Sequence, residues 1–433
     1  MRSPRSLPTS EGLVRNIGRW SLTALMVNSI IGGGIFGLPS ILDAKLGALS
    51  PLAYLIAGAG VVVIACCIAE VSSRHDETGG LYLYARDALG QFPGLLVAWL
   101  MWLTRIAAPA AVADLFCTYL AQFFPWVGTR SGEWVVLALL LGHLAVLNYI
   151  GVKAGKNVSN FFTAIKVGFL LFFIFAGLSM VLLRPEIRVS LSVTTPTAAN
   201  WFESILLLVF AYGGFEGALV VGGESTNPQR DTPVALLSAL AVVAFLYTAV
   251  QFVTVHTLPN ASASVRPLAD AAGHFLGSAG SSVMALAFLL SSYGYLSANL
   301  LHSSRITFAM AERGDFPRLL GDVHPRFHTP YVSILFYVLA VFVLAVLGDF
   351  RWNATLSAVS RLAIYGAIAL AVPMLRRRKD GKAQFLLPAP YLFSGLAFLF
   401  CLVLLTQMGR MEFYIVGTTC LVALVNWAFV RRG

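Results

Sequence analysis

The sequence predicts an all-α integral membrane protein of twelve transmembrane helices, ten of them in a 5+5 inverted repeat whose helices 1 and 6 are broken, plus two extra C-terminal helices. Three observations predict it. Of the 433 residues, 58% are hydrophobic and 12% charged, and the mean hydropathy is +0.78, which excludes a soluble multidomain protein. Apolar runs recur at lengths that cross a bilayer, which takes roughly 20 residues. Two of these runs, five spans apart, are interrupted by glycine at their centres.

In chain order, an N-terminal tail (1–16) precedes spans near 17–39, 49–71, 92–124, 134–151, 159–183, 203–224, 233–258, 278–301, 331–348, 354–375, 386–406 and 412–430. The first run is longer than the apolar core of a cleaved signal peptide and reads as a retained helix. With twelve spans both termini lie on one side. Placing them in the cytoplasm puts 20 of the 30 Lys and Arg residues inside and 7 outside, with Arg105, Lys166 and Arg361 in the membrane, as the positive-inside rule requires. The net charge of +10 then reports orientation in a cytoplasmic (inner) membrane and contact with anionic lipids, and gives little reason to invoke nucleic acid. Cys66, Cys67, Cys117, Cys401 and Cys420 fall in apolar runs without metal-ligand spacing. They read as packing residues, and no metal or cofactor is expected.

Span 1 carries Ile30-Ile31-Gly32-Gly33-Gly34-Ile35-Phe36-Gly37-Leu38-Pro39. Each glycine weakens a helix by about 1 kcal/mol relative to alanine and leaves the backbone unshielded. Unpaired backbone at membrane depth is tolerated only where it faces protein, water or a ligand. The run therefore reads as a broken helix at a binding site, with close helix packing through Gly33 and Gly37 as the competing reading. No Gly-Lys-Ser/Thr follows, so a phosphate loop is not expected. Span 2 ends at Glu70 and gives way to a polar turn, Arg74 to Gly80. Span 3 holds Arg105 and Asp114, nine residues and about 180° apart around a helix. They cannot pair with each other, and each must meet another helix or a cavity. Span 5 holds Lys166 about two turns from its inner end, where snorkelling and a functional role are both open.

Span 6 reads Phe210-Ala211-Tyr212-Gly213-Gly214-Phe215-Glu216-Gly217 and continues through Gly222-Gly223-Glu224 to Asn227-Pro228. Gly33 and Gly214 are 181 residues apart, and the two sets of five spans, 17–183 and 203–375, are 167 and 173 residues long. Five being odd, the second set enters from the opposite side. This is the layout of an inverted repeat whose paired broken helices hold a substrate near the midplane. Glu216, just past the second break, is a proton carrier or a buried acid held by hydrogen bonds. After span 8, Ser304–Arg313 predicts an amphipathic helix on the inner surface. Spans 11 and 12 lie outside the repeat and are candidates for contact with lipid or with a second copy in a homodimer. No H-E-x-x-H, nucleophile elbow or paired-aspartate motif stands out, so an enzyme is not expected.

These residues resemble the amino acid/polyamine/organocation (APC) superfamily, especially its bacterial amino acid permeases, over most of the chain. The markers are Gly32 to Phe36 with Pro39, Glu77-Thr78-Gly79-Gly80, Phe210 to Glu216 with Asn227-Pro228, and Ser304-Arg305 with Gly314-Asp315-Phe316-Pro317 and Thr329-Pro330. The resemblance implies a LeuT-like fold and secondary active transport of amino acids. It implies that the amides of Gly32, Gly33 and Gly34 hold the substrate carboxylate, which a half-helix N-terminus favours. The carbonyls of Ile30, Phe210, Ala211 and Gly213 would take the ammonium, and Phe210 matches an aromatic gate. Lys166 matches a lysine that, in sodium-independent members, stands where related carriers bind sodium and ties span 1 to span 8. Glycine at position 33, where serine is frequent, leaves no hydroxyl for the carboxylate. Proton-coupled uptake is the first expectation, with Glu216 as a proton carrier or as part of a cationic-substrate pocket, and exchange is the second. A non-transporting amino acid sensor is the alternative from another class.

Overall fold

The computed structural model describes residues 18–74, 80–151, 156–184, 189, 195–220, 225, 227–312, 316–378 and 385–430. The first expected span is split into α1 (Arg19–Ile30) and α2 (Gly34–Leu46), and α2 passes through a 3-10 turn into α3 (Ser50–Ser72). Then come α4 (Leu81–Leu89), α5 (Gln91–Leu120), α6 (Arg130–Ile150) and α7 (Lys156–Leu183). The sixth expected span is likewise split, into α8 (Ala198–Tyr212) and α9 (Phe215–Val220). It is followed by α10 (Pro228–Thr257), α11 (Pro267–Glu312), α12 (Tyr331–Leu347), α13 (Phe350–Arg378), α14 (Pro390–Leu405) and α15 (Arg410–Val430).

Local chemistry sets several helix starts. Thr129 caps α6 by accepting from the Gly132 N–H at 3.1 Å, and Thr197 caps α8 by accepting from the Asn200 N–H at 3.3 Å, which satisfies donors that have no intrahelical acceptor. Proline opens α10 and α14, where its missing N–H removes no helical bond.

Among the described residues, nine helical segments are long and apolar enough to cross a membrane, and Tyr331–Leu347 and Pro390–Leu405 are shorter apolar helices. The two shorter helices fall on the ninth and eleventh expected spans. The first expected span does not stand as one long helix, because its break leaves pieces of 12 and 13 residues. The chain is thus a multi-pass, all-helical membrane protein. At its centre α13 lies along α5 and also against α14, α8 and α3, while α10 packs on α3, α1 and α7. Outward faces are apolar: α6 exposes Val135, Leu139 and Val146, and α15 exposes Met411, Phe413 and Leu421, surfaces suited to lipid.

Two expectations are corrected. Ser304–Arg313 does not begin a separate surface helix: α11 bends at Gly277, where φ is +76°, and then continues to Glu312. Ser303, Ser304, Thr307 and Ala311 are buried, and Thr307 accepts from Trp102 Nε1 of α5 at 3.1 Å. Packing on α5 thus carries the helix past the apolar run. The helix α4 was not foreseen; Leu81, Tyr84, Ala85 and Ala88 form its buried face, and it packs on α5 and α13. The tail (1–16), Glu77 to Gly79, Gly222 to Glu224, Arg313 and Gly314-Asp315 lie outside the described residues.

Glu70 at the end of α3 is fully buried. It accepts from Arg376 of α13 at 2.6 and 2.7 Å, from Arg74 at 3.2 Å and from the Leu387 N–H at 3.0 Å. One carboxylate therefore ties α3, α13 and the segment leading to α14. We predict that Glu70→Ala strips these donors of their acceptor and costs about 3 kcal/mol. Asp87→Ala, at the exposed Arg378 pair, should cost below about 0.5 kcal/mol. The comparison is read as apparent unfolding temperature in detergent.

Candidate functional site

Breaking α1 from α2 frees carbonyls at one helix end and N–H groups at the next, and in a membrane both need partners. On the carbonyl side, four of the freed groups have donors. The Val27 carbonyl accepts from the Ile31 N–H at 3.0 Å. The Lys166 ammonium, on α7, donates to the Asn28 carbonyl at 2.9 Å and to the Ile31 carbonyl at 2.7 Å. The Tyr247 hydroxyl, on α10, donates to the Ile30 carbonyl at 3.1 Å. Lys166 is buried, so it is engaged with the broken helix and does not snorkel. Both of these bonds are to the first break, at Asn28 and Ile31.

At the second break, Gly213 is extended (φ −74°, ψ 167°) and Gly214 has φ +115°, a conformation that a side chain strains. The Gly213 N–H donates to the Phe210 carbonyl at 3.2 Å, and the Gly214 N–H donates to Glu216 Oε2 at 2.7 Å. Glu216 Oε1 also accepts from the Arg361 guanidinium and the Tyr365 hydroxyl, both on α13. Glu216 and Arg361 are buried together, a charge pair closed within the protein.

The two breaks touch. A Cβ on Gly34 would stand 2.9 Å from the Ala211 Cα, and one on Gly214 would stand 2.2 Å from the Ser29 carbonyl oxygen, so only a backbone without side chains lets them meet. The Tyr247 hydroxyl spans the contact, because it also lies 3.3 Å from the Ala211 carbonyl; the Gly32 N–H faces the same oxygen. Phe210 is buried with its ring 6.0 Å from and edge-on to that of Phe350, over Gly34.

The structure therefore brings Ile30, Gly32, Gly34, Phe210, Ala211 and Gly213 into one cluster, with Gly33 against Val112 of α5. The Ile30 and Ala211 carbonyls are free of helix bonding and share one hydroxyl, whereas the Phe210 carbonyl is already engaged. Asp114 lies apart, facing Glu133 of α6 and the Phe350 backbone. Sequence reasoning missed Tyr247, one tyrosine in an apolar run with nothing to distinguish it. It noted Arg361 and Glu216 without pairing them, since they stand 145 positions apart.

Comparison with known proteins gives the family of the chain. A family model described as "Amino acid permease" matches residues 17–424. Serine/threonine exchanger SteT of Bacillus subtilis is 28% identical over 385 residues, covering 86% of each chain. Branched-chain amino acid permease BcaP of Bacillus subtilis is 25% identical over 92% of this chain and 89% of its own. Large neutral amino acids transporter small subunit 2 of Mus musculus is 27% identical, over 90% and 77% respectively. These relatives are transporters, not enzymes.

Removing the ammonium in Lys166→Met leaves two carbonyls at the end of α1 without a donor. We expect a loss of about 2 kcal/mol, seen as a lower apparent unfolding temperature in detergent.

Proposed function

The chain belongs to the amino acid permease family, and on that premise we propose that it is a secondary active carrier of α-amino acids, working by alternating access between paired repeats. The observation that carries this reading is the contact between the two helix breaks, where main-chain N–H groups and carbonyls released from helix bonding lie together. The first turn of α2 offers the N–H groups of Gly33 and Gly34 and, shared with Tyr247, of Gly32. A helix start carries partial positive charge and favours the substrate carboxylate. The carbonyls of Ile30 and Ala211, with Gly213 beside them, accept from the ammonium. A zwitterion thus finds both partners in backbone, and the surrounding side chains choose among amino acids. Phe210 covers the site from the α8 side.

In this reading the crossings number twelve, with both termini cytoplasmic in the inner membrane as the distribution of basic residues favours. Lys166 supplies a cationic side chain at the end of α1, so sodium is not required. Proton-coupled uptake remains the first reading, with Glu216 in the coupling. A second reading, exchange of one amino acid for another, is favoured by one observation: Glu216 is already matched by Arg361 and both its oxygens accept hydrogen bonds, which suits a group that holds the second break in shape.

Reconstituted vesicles separate the two. With an inward proton gradient and no internal amino acid, a symporter accumulates labelled substrate and an exchanger does not until the vesicles are preloaded. Replacing sodium by a large organic cation at fixed membrane potential should change uptake by less than twofold, and a steep dependence on sodium would contradict the role given to Lys166. Gly34→Ala drives a methyl into the Ala211 backbone. We expect it to lower uptake at least tenfold in the same vesicles.

A further inference from the structure

Arg105, a part-exposed arginine of the bundle, has no carboxylate partner among the described residues. Arg105 lies midway along α5, within a segment that crosses the membrane. An arginine at such depth is costly, and it persists where it meets a partner or a cavity. Among the described residues no carboxylate lies within ion-pair distance of the Arg105 side chain, although it stands close enough to Glu216 and Arg361 to feel both charges. Glu216, the acid in that group, is already bonded to Arg361, Tyr365 and the Gly214 N–H. The other neighbours of Arg105 are Tyr295, Tyr337 and His302, none of which carries negative charge near neutral pH. The Tyr337 hydroxyl lies 2.6 Å from the Arg105 carbonyl oxygen and 2.6 Å from Asn299 Oδ1, which anchors this stretch of α5 to α12 and α11. Arg361 thus takes up the one carboxylate, and Arg105, within range of its charge, is left without one.

The surplus charge lies beside the substrate site. A Cβ on Gly213 would meet the Arg361 guanidinium at 2.3 Å, so this group borders the second break itself. Val112, which abuts Gly33 at the first break, is seven residues from Arg105. That spacing returns to the same face of α5, about 10 Å along the helix axis.

We infer that the substrate carries a second carboxylate, as a dicarboxylic amino acid does, and that this group enters beside Arg361 and Arg105 while the α-carboxylate and ammonium engage the helix breaks. The inference rests on the carrier reading above and names its substrate class. Bound in this way, the side-chain carboxylate brings the group of Arg105, Arg361 and Glu216 to neutrality in a medium where an unmatched charge is expensive. Its amide isostere leaves the surplus in place. The discrimination is therefore between nearly identical shapes that differ in one charge.

The test is equilibrium binding to the purified full-length protein in lipid nanodiscs by titration calorimetry. The ligands are L-glutamate, L-glutamine, L-aspartate and L-asparagine, with L-alanine, L-serine and L-leucine for comparison. The acid should bind at least tenfold more tightly than its amide in the wild type. That ratio should fall at least tenfold in Arg105→Gln and be partly restored in Arg105→Lys. A ratio within one protein does not depend on the folded yield of a variant, and the wild-type ratio needs no variant. If the amides or the uncharged amino acids bind as well as or better than the acids, this inference is overturned and the carrier reading stands. If none of the seven binds, the carrier reading falls as well.

Discussion

Inside a membrane every interruption of a helix creates polar backbone groups that water cannot reach, and this chain interrupts two helices at the same place. Everything around the site follows from how those groups are matched. The end of α1 is capped from outside itself, by an ammonium from α7 and a hydroxyl from α10. The second break is held by a carboxylate that folds back onto the Gly214 N–H. In the proposed function, a small zwitterion supplies what the N–H groups that open α2 lack. Binding is then an extension of the rule that shapes the fold.

This arrangement also explains why the breaks are lined by glycine and not merely made flexible by it. Gly34 and Gly214 stand where any side chain would enter the opposite backbone. Close approach brings donors and acceptors from two distant parts of the chain within reach of one ligand. The same approach couples the halves, because a shift of α1 is felt by α10 through Tyr247 and by α7 through Lys166. The ion pair of Glu216 and Arg361 extends the linkage to α13, and Glu70 with Arg376 joins α13 to α3 some way down the same helix.

The general plan was legible in the sequence because glycine clusters in apolar runs are rare enough to locate both breaks within a residue or two: residues 31–33 and 213–214 are the ones that leave the helix. Lys166 was recognisable as an expensive residue, although its two acceptors were not, since carbonyl partners leave no trace in a sequence. Tyr247 and Tyr365 were invisible for a related reason, as tyrosine is common in membrane helices and its partner depends on helix rotation. The pairing of Glu216 with Arg361 needed the fold, since it joins α9 to α13, 145 positions apart. The error at Ser304–Arg313 came from reading a change of composition as the end of a helix, where contact with α5 prolongs it. The helix α4 was lost because nine residues give too little periodicity.

The central claim is that main-chain atoms from both breaks hold one amino acid. The most direct test is an experimental structure of the protein in a lipid nanodisc, solved with the amino acid that binds most tightly. The account predicts the ligand carboxylate within about 3 Å of the N–H groups at residues 32–34 and its ammonium at a similar distance from the Ile30 and Ala211 carbonyls. Ligand density elsewhere in the bundle, or α1–α2 and α8–α9 wound as continuous helices around it, would contradict it.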